Sequence, residues 1–325
     1  MATKPASVQK TSFNDAISAI QAARALTMRD LTALSDMTAA QFAVYQPVWL
    51  AASEDRRSEV LQRLRAIDAQ AEGFKYDFAA AFRLALADAD ERVRIAAVAG
   101  LESDDSTDLL HIFVRMLGED SSQIVKAATA TALGTYLHIG ELEELEPHER
   151  DKVYSALMGA LLVAPRNSLL VHRLIESIGY ADNEETRAII AGAHADGSED
   201  LRLSAMTAMA RSGNQIWQDR LIADLRSDSS QLRERAAWAC GELYSDEATS
   251  ELGRLIDDDD EAVRFAAIVA LGELASDDSR ALLKRATDSK DEEIATAAEE
   301  ALENAEMLGN VRLMLDSMDD EDPGD

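Results

Sequence analysis

A helix start of one design recurs seven times along this chain, and the last five copies stand 31 residues apart. The anchor of each copy is an apolar residue: Val93, Val125, Leu170, Leu201, Leu232, Val263 and Ile294, at successive spacings of 32, 45, 31, 31, 31 and 31 residues. A fixed period in this range marks units too small to bury an apolar face alone, which therefore stack on their neighbours. The expected fold is all-α: a solenoid of antiparallel helix pairs, about seven repeats long, behind a helical N-terminal cap.

Read in register, the copies carry the signals of a helix. Three residues before each anchor stands Asp90, Ser122, Asn167, Ser198, Ser229, Asp260 or Asp291, all with a side-chain oxygen that can accept from the amides of a first turn. Glu91, Glu199, Glu261 and Glu292 follow directly and place negative charge at the positive end of the helix dipole. Seven residues after the anchor comes a small residue, Gly100, Ala132, Ser177, Ala208, Ala239, Ala270 or Ala301, and then an apolar one. At 100° per residue, offsets 0, 4, 7, 8 and 11 share one face, so the pattern predicts a buried stripe with small residues that permit close packing.

A second amphipathic stretch precedes each of these helices, at 105–118, 183–194, 214–227, 246–256 and 277–287. Each unit therefore reads as helix, turn, helix, with polar linkers such as Ser245-Asp246-Glu247 between units. Strand-like alternation is nearly absent. Residues 1–72 lack the repeat and are expected to form the cap, with Phe42, Tyr45, Trp49 and Leu50 covering the apolar edge of the first repeat. Repeats are expected over 73–305, and an acidic tail over 306–325 that is disordered at its end.

Four copies pair an aspartate five residues before the anchor with a basic residue one after it: Asp88 with Arg94, Asp120 with Lys126, Asp196 with Arg202, and Asp258 with Arg264. With Asp-Asp-Asp-Glu-Ala-Val-Arg-Phe-Ala-Ala-Ile-Val-Ala-Leu-Gly-Glu-Leu at 258–274, this resembles the HEAT repeat, in the short form of about 31 residues known from phycobilin lyase subunits. The resemblance implies a HEAT-like superhelix whose Asp and Arg residues form a ladder between successive repeats. It implies little about function, because such solenoids carry many activities. The third copy departs from the pattern, with Pro165 and Val171 in place of Asp and Arg. It also follows an insert, 138–149, which predicts a longer loop: a binding element or a plain solvated connection.

Net charge narrows the partners. At −29 the surface repels phosphate backbones and favours a basic protein or peptide. No 18-residue apolar run and no leader-like opening are visible, so no membrane segment is expected and the location expected is cytoplasmic. Cys240 reads as a packing residue. The histidines lack metal-ligand spacing, and the His-Glu dipeptides that hold the di-iron centre of HEAT-type deoxyhypusine hydroxylases occur here only as His148-Glu149. No enzyme activity, metal or cofactor is therefore expected.

Offsets 2, 5, 6 and 9 point away from the buried stripe, yet several are apolar: Leu203, Met206, Trp238, Phe265, Ile268 and Val269. They either form an apolar strip inside a groove or fill gaps between repeats. On the first reading Trp238, Phe265, Val269, Leu203 and Met206 are the candidate partner contacts. The function expected is a non-enzymatic interaction scaffold that grips a protein or peptide along the concave helix face. The alternatives are a bilin lyase-like chromophore-handling protein and a nucleic-acid-binding HEAT-like protein.

Overall fold

The computed structural model describes residues 6–70, 76–142 and 145–319, and among these every regular element is a helix. The chain divides into two compact units, Met1–Leu174 and Ile175–Asp325. The first holds α1 (Ala6–Gln21), α2 (Met28–Thr32), α3 (Ala39–Ala51), α4 (Glu54–Gln70), α5 (Ala79–Ala85), α6 (Glu91–Gly100), α7 (Thr107–Glu119), α8 (Gln123–Glu141) and α9 (Pro147–Val163). The division falls inside α10 (Leu169–Ile178). The second unit continues with α11 (Glu184–Ala195), α12 (Glu199–Arg211), α13 (Gln218–Asp224), α14 (Ser230–Glu242), α15 (Thr249–Leu255), α16 (Glu261–Leu274), α17 (Asp277–Ala286) and α18 (Glu292–Asp319). Short 3-10 turns, Gln215–Trp217 and Asp246–Ala248, lead into α13 and α15.

Most anticipated caps are made. Asp90 accepts from the Arg92 amide at 2.8 Å, Ser122 from Ile124 and Val125 at 3.3 Å, Asp260 from Ala262 at 3.0 Å and Asp291 from Glu293 at 3.1 Å. Two are not. Asn167 sits at φ 58°, in a turn where the Ser168 amide donates to the Pro165 carbonyl, and Ser168 caps α10 in its place by accepting from Val171. Ser198 makes no side-chain cap bond.

The second helices of successive repeats lie side by side: α12 against α14, α14 against α16, α16 against α18. Their separation is set by small residues. A Cβ added at Gly179 would come within 2.7 Å of the Ala208 backbone, one at Gly241 within 3.0 Å of Ala270, and one at Gly272 within 3.0 Å of Ala301. Each pairs offset 9 of one repeat with the small offset-7 residue of the next, so the helices meet backbone to backbone. All anchors are buried except Leu201, which is half-buried.

The insert does not make a long loop. Residues 138–141 complete α8, and α9 begins at Pro147, whose fixed φ and missing N–H suit a first helical position. The added residues are spent on longer helices, leaving a connection of 142–146, of which 143 and 144 lie outside the described residues. At the C-terminus α18 continues to Asp319 where a tail is expected from 306; residues 320–325 lie outside the described residues. Near the N-terminus Tyr45 and Trp49 are buried with ring centroids 5.7 Å apart, whereas Leu50 faces solvent.

Candidate functional site

The aspartate five residues before the anchor has two duties, visible at Asp88, Asp120 and Asp258. Its Oδ1 accepts from the amide two residues on, at 3.0, 2.8 and 3.0 Å, and closes the turn into the second helix. The same carboxylate takes an arginine from the preceding repeat: Arg57 for Asp88, Arg94 for Asp120, Arg233 for Asp258. Arg94 and Arg233 engage both carboxylate oxygens, at 2.7–2.9 Å. They also donate to carbonyls of their own turn, Asp88 and Ala89 for Arg94, Ser227 and Asp228 for Arg233. Burial pushes the Asp120 carboxyl up, but hydrogen bonds from Arg94 and the Ser122 amide outweigh it and hold the group below its ordinary value. Hydrogen bonding to Arg233 holds Asp258 low in the same way.

The other ladder residues are placed differently. Lys126 donates to the Gly118 carbonyl at 2.8 Å, since Pro165 stands where its aspartate would be. Asp196 closes its turn on the Ser198 amide. The sequence has Ser227 where Arg202 would find its aspartate, and Arg202 pairs with buried Asp224, which His194 also contacts at 2.6 Å. For Arg264 the aspartate position of the next repeat is Ser289; its guanidinium donates to the Asp258 and Asp259 carbonyls, and its buried Nε has no partner. Arg57, the contributor from α4, was invisible to the repeat pattern because Arg56 stands at the anchor position.

The candidate contact residues separate by offset. Met206 and Ile268, both at offset 5, are fully buried, so Met206 is a core residue and not a groove residue. The physical reason is that a second helix in the row is flanked on both sides as well as backed by the first helices, which widens the buried arc beyond the stripe expected for a surface helix. Offsets 2 and 6 behave otherwise. Leu203, Trp238 and Phe265 are half-buried, and Val269 is 55% exposed. The Arg235 guanidinium lies 5.3 Å from the Trp238 ring centroid and donates to Thr207 Oγ1 at 2.6 Å, fixing the indole on one face.

Phe265 and Val269 form one wall of an open groove of about 640 Å³ between α16 and α18. Thr296, Ala297, Ala301 and Asn304 form the other, and Glu292, Glu293 and Glu300 line its edges. Among the described residues no Lys or Arg lines it. Thr296 and Glu300 occupy offsets 2 and 6 of the last repeat, the register that Phe265 and Val269 hold on α16, and both are exposed.

Two other features are structural. In the first unit Glu149, at the start of α9, accepts from Lys152 Nζ at 2.8 Å and contacts His111 Nε2 of α7 at 2.9 Å, which holds its carboxyl down at about 2. Burial pushes the Cys240 thiol up to about 12, the setting of an inert packing residue. Among the described residues no group of three or more His, Cys, Asp or Glu is placed to hold a metal ion, and no helix is long and apolar enough to cross a membrane.

Residues 218–303 match the family pattern of HEAT repeats, a stretch that contains α14, α16 and the start of α18. Comparison of the sequence with curated proteins gave no match. Similar solved structures include the complex of CpcE and CpcF of phycocyanin lyase from Nostoc, 13% identical over 72% of this chain and 97% of that one, TM-score 0.45. Human deoxyhypusine hydroxylase is 19% identical over 82% and 96%, TM-score 0.36. Importin beta is 13% identical over 93% of this chain and 43% of its own, TM-score 0.45. At such values none of them carries a function over to this chain.

Proposed function

We propose that this HEAT-repeat protein is a non-enzymatic interaction scaffold, and that its second unit takes a protein segment across the row of second helices α12, α14, α16 and α18. The observation that carries the reading is the contrast between offsets on one row. Offset 5 is sealed into the core on α12, α14 and α16, while offsets 2 and 6 leave Leu203, Trp238, Phe265 and Val269 at the surface of those helices. Apolar groups that remain at a surface in a repeating line mark a contact site more often than a random scatter does. The rigid backing supplied by the glycine–alanine contacts suits a preformed surface, which keeps the ordering cost of binding low.

Phosphate-bearing partners are disfavoured at the α16–α18 end of the row, where Glu292, Glu293 and Glu300 line the groove. The test is affinity capture from a native extract with wild-type protein and with a Trp238→Ala/Val269→Asp variant. The reading expects a protein that is captured by the first and lost from the second, with both melting at similar temperatures. Equal capture by both would sink it.

A further inference from the structure

We infer that the groove between α16 and α18 accepts a segment presenting an apolar side chain beside lysine or arginine side chains. This rests on the interaction reading above and names the chemistry of its occupant. The argument is one of unmatched charge. At three inter-repeat turns the aspartate is answered from within the chain: Asp88 by Arg57, Asp120 by Arg94, Asp258 by Arg233. At the groove they are not. Glu292, Glu293 and Glu300 make no ion pair with a Lys or Arg among the described residues, and the groove walls contain neither residue type. Between these carboxylates lie Phe265, Val269, Ala297 and Ala301, and Val269 is 55% exposed.

A purely apolar occupant would strip water from the glutamates without replacing it, and an anionic one would be repelled. An apolar side chain flanked by cations satisfies both parts. It buries the Phe265–Val269 wall, and it meets the carboxylates with ammonium or guanidinium groups whose aliphatic stems lie along the apolar surface. The acidic excess of the whole chain adds attraction at a distance but does not localise it.

The test is fluorescence anisotropy on the full chain with a labelled peptide Gly-Lys-Arg-Leu-Lys-Arg-Gly, a counterpart with Gln in place of each Lys and Arg, and one with Gly in place of Leu. Three proteins are compared: wild type, Glu292→Gln/Glu293→Gln/Glu300→Gln, and a control that removes the same charge elsewhere, Glu102→Gln/Glu247→Gln/Asp278→Asn. The expected result is binding of the basic peptide about tenfold weaker to the groove variant and changed less than about twofold in the control, with loss of roughly tenfold on removing Leu. Equal weakening in both triple variants overturns the inference, since it reports only the general field. Tighter binding of the Gln peptide, abolished by Phe265→Ala, also overturns it while leaving the interaction reading intact. If no probe responds to Phe265→Ala or Trp238→Ala, both fall.

Discussion

Single residues in this chain are read correctly only with their repeat offset in view. Met206 and Val269 are both apolar residues on second helices, yet one is fully buried and the other 55% exposed. Met206→Ala is expected to cost about 2–4 kcal/mol in urea unfolding, whereas Val269→Ala should stay within about 0.5 kcal/mol. Glycines divide in the same way. Gly179→Ala would drive a methyl onto the Ala208 backbone and is expected to destabilise by roughly 1–3 kcal/mol. Gly192→Ala, inside α11 with nothing within 4 Å of the new methyl, should stabilise by up to about 1 kcal/mol. A reversed order of the two glycine variants would contradict the backbone-to-backbone contact.

Between elements, the turn aspartate and the arginine from the preceding repeat form one device. Asp120→Asn keeps an oxygen for the Ser122 amide but leaves Arg94 without its carboxylate, and is expected to cost roughly 2–4 kcal/mol at neutral pH. The sign with pH follows from the lowered value of Asp120. Its contribution is complete above the unfolded value of about 4 and fades as pH falls through the folded one, so wild type and variant should converge in acid. A constant gap down to the lowest pH at which the fold survives would rule the ion pair out as the cause. The converse change is available at Ser289, which closes its turn on the Asp291 amide as the aspartates do but offers Arg264 no carboxylate. Ser289→Asp should complete the pair and raise stability by about 1 kcal/mol, read from the urea midpoint at unchanged slope.

For the molecule as a whole, a net charge of −29 sets the response to salt. Self-repulsion opposes the compact state, and moving from about 0.01 M to about 1 M salt shortens the screening length from roughly 30 Å to 3 Å. Thermal midpoints should therefore rise with sodium chloride, although the arginine–aspartate pairs weaken slightly. A midpoint that falls with salt would mean that the internal ion pairs outweigh the repulsion.

Period, caps and small residues were legible in the linear chain because each is a local requirement: 31 residues return the same face, a first turn needs an acceptor, and a close approach needs a missing side chain. The helix pairs therefore follow from the sequence by itself, as do the small residues at offset 7; the glycines they meet, Gly179, Gly241 and Gly272, stand at offset 9, which the period alone turns away from the buried stripe. What the tertiary structure decided is every matter that depends on the neighbouring repeat. Arg94 answers Asp120 and not Asp88, Arg202 turns to Asp224 for want of an aspartate at 227, and the residues of the insert lengthen α8 and α9. The groove at Phe265 and Val269 is of the same kind: its second wall comes from α18, and the glutamates that line it pair with no Lys or Arg among the described residues. A helical period specifies which face is apolar, but how much of that face is covered depends on contacts on both flanks, and those exist only once the helices are side by side.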